Sequence, residues 1–340
     1  MKKRGKKVYN ICKKKKTAGC ARLAYTLLII WSEHKCKKIT VHLRYMKVGT
    51  ILHVSYKEVG SGEGPILECL KKIVTDPYFE AVEVAHMKDP AVRKKAAEMI
   101  AAAHMTTAYG GQGLMLGAGL NINDLNEEGR QMALASLKMG IDEAYEIGAQ
   151  DFAFLAGRYE AETMEESFQA LLASTRELCE YAKAKGNMPV LCEVFDYDIA
   201  KKSLIGPVDR VKRYAETICA EYDNFGLMVD LSHIPMIHET IEENLLPVRR
   251  FIRHAHMGNT VIRSPECPAY GDEHPRFGFP NSENDVKELA DYLRLLMEIG
   301  FISEKNRPIV SFEVKPFEEE DPDICLANAK RTLDLAWELV

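Results

Sequence analysis

The chain has 340 residues, of which 46% are hydrophobic and 28% charged, enough apolar material to bury a sizeable core. Its net charge of −5 is unevenly spread: residues 1–46 hold 14 Lys/Arg and one acid, Glu33, leaving 31 basic and 49 acidic residues in 47–340, about −18. A body of that sign repels phosphate backbones, so nucleic acid is disfavoured as substrate or partner.

The chain opens with basic runs at Lys2–Lys7 and Lys13–Lys16, followed by the apolar stretch Leu23–Trp31. Nine apolar residues are too few to span a membrane. No clean small-x-small cleavage site follows them. Residues 1–45 are therefore expected to be a basic leader outside the folded domain, either disordered or upstream sequence read in frame before Met46. A basic binding tail is the alternative. The cysteines are odd in number, nine, and form no Cys-x-x-Cys pair. A reduced, cytoplasmic protein with no membrane association is expected.

From Met46 onward, short β-rich runs alternate with helical patterns. The strand candidates are Val48–Val54, Ala81–His86, Met105–Tyr109, Asp151–Ala156, Pro189–Phe195, Gly226–Leu231, Ile252–Met257 and Pro308–Val314. The helical patterns are Ile66–Val74, Ala91–Ala103, Asn126–Ile147, Glu165–Lys185, Val208–Tyr222, Glu239–Arg250, Glu283–Ile299 and Pro322–Glu338. Alternation of this kind gives a parallel sheet with helical crossovers. Eight units in under 300 residues predict an α/β fold, a (β/α)8 TIM barrel occupying 46–340 as a single domain. The runner-up, a doubly wound open sheet for dinucleotides, lacks a Gly-x-Gly-x-x-Gly after the first strand. Gly110-Gly111-Gln112-Gly113 reads as a loop rather than a phosphate cradle. The longest irregular stretch, Gly258–Asn281, follows the seventh strand. In a barrel, such loops build the active-site face.

Polar residues close four successive strands that should otherwise be apolar: Glu193, Asp230, His256 and Glu313. His254 lies two residues before His256, on the same strand face. A single strand-end acid more often caps a helix or pairs with a lysine, and a lone strand histidine is more often a satisfied core residue. Four in a row at the same end point instead to a shared cation, because buried carboxylates are costly without one. Mixed carboxylate and imidazole donors suit Mn²⁺, Mg²⁺, Co²⁺ or Zn²⁺. Mn²⁺ is the first expectation for a single bound ion. Further polar residues near strand ends, His53, Glu83, His86, Gln112 and Arg158, are candidate contacts for substrate hydroxyls. For Glu83 and Arg158 the alternative is an ion pair across the barrel mouth. Lys201-Lys202 reads as a solvated pair rather than a phosphate site.

Four motifs carry a resemblance over about residues 47–338: Cys192-Glu193-Val194-Phe195, Val229-Asp230-Leu231-Ser232-His233, His254-Ala255-His256-Met257-Gly258-Asn259 and Phe312-Glu313. The chain resembles the xylose isomerase-like TIM-barrel superfamily, which includes ketose 3-epimerases, inosose-processing enzymes and endonuclease IV. The resemblance implies Glu193, Asp230, His256 and Glu313 as metal ligands. It also implies His233 and Arg263 as substrate contacts. The implied chemistry is sugar isomerisation or epimerisation, with Glu193 and Glu313 moving a proton α to a carbonyl through an enediolate.

The interval from His256 to Glu313 exceeds what a compact ketose epimerase needs. Its extra segment, Pro265–Pro280, is read as a lid over the substrate or a partner surface, with His274 as a substrate contact. Asp272-x-His274 also resembles the Asp-x-His that adds zinc ligands in endonuclease IV, but the acidic body argues against abasic-site repair. The catalytic subunit of C-glycoside deglycosidases is a further resemblance. It implies metal-assisted β-elimination on a 3-oxo-glycoside beside a small β-rich subunit. Otherwise a homo-oligomer acting on a small carbohydrate is expected.

Overall fold

The computed structural model describes residues 41–340; of the leader expected over 1–45, residues 1–40 lie outside the described residues. Tyr45–Val340 forms one compact unit. Its eight strands are β1 (Lys47–Thr50), β2 (Ala81–Val84), β3 (Thr106–Gly110), β4 (Phe152–Leu155), β5 (Val190–Glu193), β6 (Phe225–Asp230), β7 (Ile252–Gly258) and β8 (Ile309–Glu313). All seven ladders between neighbouring strands are parallel. The remaining seam, β1 against β2, is closed by the parallel bridge Ile51–Glu83 and by Glu80 N–H donating to Val48 O at 2.9 Å. The result is a (β/α)8 barrel, the fold the alternation predicts.

The helices follow the strands in turn: α1 (Ile66–Val74), α2 (Pro90–Ala102), α3 (Glu127–Ile147), α4 (Met164–Lys185), α5 (Val208–Cys219), α6 (Ile241–Leu245), α7 (Val286–Glu298) and α8 (Pro322–Trp337). Their starts are written locally. Asp89, Asn126 and Asp321 each accept a backbone N–H of the first turn, and Pro90 and Pro322 occupy the position where a missing N–H costs nothing. The α6 segment is shorter than its pattern suggests. Pro247 tightens the chain into a 3-10 turn, Leu246–Val248. No helix among the described residues is long and apolar enough to cross a membrane. Every described cysteine is free.

Two of the strand ends that differ from the sequence reading bear on the site. The first strand stops at Thr50, and His53 sits in a helical turn, Leu52–Ser55. The second stops at Val84, so His86 lies two residues beyond it. Elsewhere, alternation along the strands sends every second side chain to the barrel interior. Ala153, Leu191 and Met228 pack together there, as do Ala81, Ala108 and Ile309.

Gly111 marks the turn that leaves β3. A Cβ there would lie 2.8 Å from the Ala153 carbonyl oxygen and 2.5 Å from the Phe152 ring. Backbone and packed ring cannot give way cheaply. Gly111→Ala is expected to cost about 1–3 kcal/mol, the usual range for overpacking, read as a lower urea midpoint at unchanged slope.

Candidate metal centre and active site

At the carboxyl ends of the strands lies a cavity of about 320 Å³, lined in part by His53, Glu83, Gln112, Glu193, His256 and Glu313. Glu193, Asp230, His256 and Glu313 each present one donor atom here, all within 4.8 Å of one another. They come from β5, β6, β7 and β8 because those strands end together and share an inward face.

The donor atoms are oriented from outside. Gln112 Nε2 donates to Glu193 Oε2 at 2.6 Å, which leaves Oε1 to face the centre. Ser232 donates to both Asp230 oxygens, through its N–H at 2.8 Å and its hydroxyl at 2.6 Å. Gly258 makes room for this arrangement, since a Cβ there would meet Asp230 Oδ1 at 2.9 Å. His256 Nδ1 lies 2.7 Å from Glu313 Oε2 and 3.5 Å from Glu193 Oε1. These three atoms are buried, yet none has the alignment of a hydrogen bond. They belong to the four residues whose donor atoms lie within 4.8 Å of one another. That arrangement, with hard oxygen donors and one imidazole, fits a divalent cation.

The charges tell the same story. Glu193 and Asp230 are buried and Glu313 nearly so. Among the described residues their close charged contacts are histidines, not lysines or arginines. Burial lifts the Glu313 carboxyl above the usual range, and the charge of Glu193 adds to this against His274 and His256. Burial disfavours a charged His256, but Glu83 and Glu313 outweigh it and hold the imidazole well above its ordinary value.

The loop after β7 brings a second group. Gly271 N–H donates to Val261 O, Thr260 Oγ1 donates to Gly271 O at 2.7 Å, and Asn259 Nδ2 donates to Arg276 O at 2.9 Å. Lys315 N–H donates to His274 O just beyond β8. So stitched, the loop places Asp272 and His274 at the cavity. Asp272 Oδ1 lies 3.0 Å from His233 Nε2 and 2.9 Å from His274 Nε2, and its other oxygen pairs with Lys201. His274 adopts a left-handed backbone, φ 50°, uncommon for a residue with a Cβ. Asp230, His233 and His274 form a further group able to hold a cation. His233 itself is fixed by Nδ1–H donating to Val194 O at 2.8 Å and by the Phe195 ring, 4.2 Å away between centroids.

His53 lines the cavity with its Nδ1 unpartnered, and desolvation pushes its pKa down to about 4, so the ring is neutral. Two expected contacts lie elsewhere. His86 turns away to Glu143 on α3, at 3.0 Å, because the strand ends before it. Arg263 is exposed and paired with Glu283, because the loop reverses between it and Asp272. Glu83 pairs with His254 and His256 rather than with Arg158, which is exposed and donates to Lys201 O. Lys201, read from sequence as half of a solvated pair, instead lines the cavity and pairs with buried Asp272, which the loop after β7 brings to it. Two further participants, His254 and Asp151, had no assigned role in the sequence reading. Only His254 carried a signal, its two-residue spacing from His256.

Comparison with known proteins places the chain in context. No curated protein sequence matches it. A family model described as xylose isomerase-like TIM barrel matches residues 78–321. Among solved structures, D-psicose 3-epimerase with D-tagatose from Clostridium cellulolyticum H10 is 15% identical, with a TM-score of 0.63 over 86% of this chain and 99% of that one. The IOLI protein with a binding zinc atom is 16% identical, TM-score 0.64, over 87% and 99%. The 3-keto-D-glucoside 4-epimerase YcjR from E. coli, apo form, is 17% identical, TM-score 0.59, over 86% and 99%. At these identities the neighbours speak for the fold, and the family match is what assigns the chain. It belongs to the xylose isomerase-like TIM-barrel family.

Proposed function

We propose that the protein is a divalent-metal-dependent sugar isomerase or epimerase. Glu193, Asp230, His256 and Glu313 would hold the ion, with Mn²⁺ the first expectation and Mg²⁺, Co²⁺ or Zn²⁺ as alternatives. The observation that carries this reading is the convergence of three buried, unpartnered donor atoms, Glu193 Oε1, His256 Nδ1 and Glu313 Oε2, at the end of a sugar-sized cavity. A bound divalent ion supplies Lewis acidity, which makes the C–H beside a substrate carbonyl easier to ionise.

The chain's own residues supply the proton transfers. Glu193 and Glu313 reach the centre from different strands, so a substrate carbon between them meets one carboxylate that removes a proton and another that returns one. Gln112 keeps Glu193 turned inward. Neutral His53 offers a ring nitrogen to a substrate hydroxyl. Lys201, paired with Asp272, brings a positive charge to the cavity wall. The neighbouring epimerases support a small carbohydrate as substrate.

One observation favours a second reading, elimination from a 3-oxo-glycoside with a small β-rich partner subunit. His274 Nε2 lies 3.3 Å from Glu313 Oε1, and its pKa stands at about 9 because Glu313, Asp272 and Asp230 outweigh burial. A protonated imidazole there is an acid that a leaving group can use. Deuterium exchange followed by NMR, over a panel of ketoses and 3-oxo-glycosides, separates the two. Exchange at a ketose carbon without loss of a group supports the epimerase, and exchange only with loss of the aglycone supports the lyase.

Glu313→Gln should lower kcat by about 10²–10⁴-fold, the usual share of general acid–base catalysis, while calorimetry still registers sugar binding. Near-normal turnover would rule out the two-carboxylate mechanism. Metal binding should be pH-dependent. The raised pKa of His256 means that a cation must displace a proton at neutral pH, so affinity falls as pH falls and protons are released on binding. Titrations in two buffers of different ionisation heat count those protons, and a count of zero would contradict the assigned ligand set.

A further inference from the structure

We infer that Glu83, His254 and Asp151 form a buried positioning relay that determines which nitrogen of His256 faces the metal centre. This rests on the metal reading above.

The relay begins at His256. Its Nε2 lies 3.2 Å from both oxygens of Glu83. Glu83 Oε1 also faces His254 Nε2 at 2.8 Å. His254 Nδ1 in turn faces Asp151 Oδ2 at 3.3 Å. All four residues are buried, His254 completely. Asp151 precedes β4 and borders a separate cavity, near Ile252 and Ile309 at the starts of β7 and β8. The chain of contacts therefore runs through the barrel from its mouth to its opposite end.

Carboxylates facing imidazoles settle where the protons sit. An ionised carboxylate only accepts, so the ring nitrogen facing it carries the hydrogen. Nδ1 of His256 is turned toward Glu193 and Glu313, so once a cation takes Nδ1 the remaining hydrogen stays on Nε2, where Glu83 accepts it. His254 sets one ring nitrogen against Glu83 and the other against Asp151, and so braces Glu83 from behind. Glu83 needs this support. It lies at the β1–β2 seam, where a single bridge replaces a continuous ladder.

A purely structural role explains the arrangement poorly. The same interior is filled elsewhere by Ala81, Ala108, Ile309, Ala153, Leu191 and Met228. Buried ion pairs are often no more stabilising than aliphatic packing of the same volume. The charged chain occurs where it touches a ligand of the centre. Holding the free N–H of a metal-bound histidine by a carboxylate is worth about 10–100-fold in metal affinity.

The test uses the full chain with Zn²⁺ as the probe. In protein carrying ¹⁵N-labelled histidine, the His256 ring should show a slowly exchanging Nε2–H and a metal-shifted Nδ1. Zinc on Nε2, or a His256 ring protonated only at Nδ1, overturns the relay. Chelator competition should show zinc affinity about 10–100-fold weaker in Glu83→Gln, and weaker in the same direction in His254→Gln. Melting of the metal-free variants is read alongside, and the wild-type spectrum decides the matter if either variant fails to fold. Equal zinc affinity in the wild type and both variants overturns the relay alone. A wild-type chain that binds no divalent ion overturns the metal reading, and the relay with it.

Discussion

Among the described residues, three carboxylates crowd the mouth of this barrel without a lysine or arginine in direct contact, and the surrounding structure is organised by that excess of buried negative charge. Removing such groups from water is unfavourable by several kcal/mol each unless a cation or hydrogen bonds compensate. Hydrogen bonds do part of this: Gln112 serves Glu193 and Ser232 serves Asp230. Histidines do more, and His256 touches two of the three acids. What remains is three buried donor atoms, Glu193 Oε1, His256 Nδ1 and Glu313 Oε2, without a hydrogen bond among the described residues.

The barrel is what aims them. Parallel strands all present their carboxyl ends on one face, and the two-residue period turns alternate side chains inward. A donor at each of four successive strand ends therefore lies on an arc that faces the barrel axis, not on a line. Beneath that arc, His254 and Glu83 continue the polarity into an interior that is elsewhere mostly aliphatic. Orientation of a donor atom is thus tied to residues that never reach the cavity, such as Asp151.

On the proposed reading, the walls of the cavity decide more about the reaction than the four candidate ligands do. The loop after β7 delivers Asp272 and His274, and the left-handed backbone at His274 is held by its bond to Lys315 N–H. Lys201 reaches the same corner through Asp272. These groups give the site an acid, a base and a fixed positive charge within a small volume. Epimerisation and elimination share their first step, proton removal beside a carbonyl. They part at the next one, according to whether a proton returns or a group leaves.

Strand and helix alternation made the barrel legible from sequence, and four strand-end residues made its centre legible. Both signals are local: hydrophobic period sets the elements, and a polar residue where a strand should stay apolar marks the site. Positions that depend on where a strand stops were not legible. His53 and His86 read as strand ends, yet β1 and β2 finish early, which leaves one in the cavity and turns the other outward to Glu143. Nor did the sequence show that Arg263 and Asp272, nine positions apart, lie on opposite sides of a reversing loop. Glu83 could be marked as polar and near a strand end, but its partners lie 171 and 173 residues away. The sequence alone determined which donors the barrel carries and at which end. Tertiary structure decided which atom of each donor is free, because that depends on hydrogen bonds between segments brought together only by closure of the barrel.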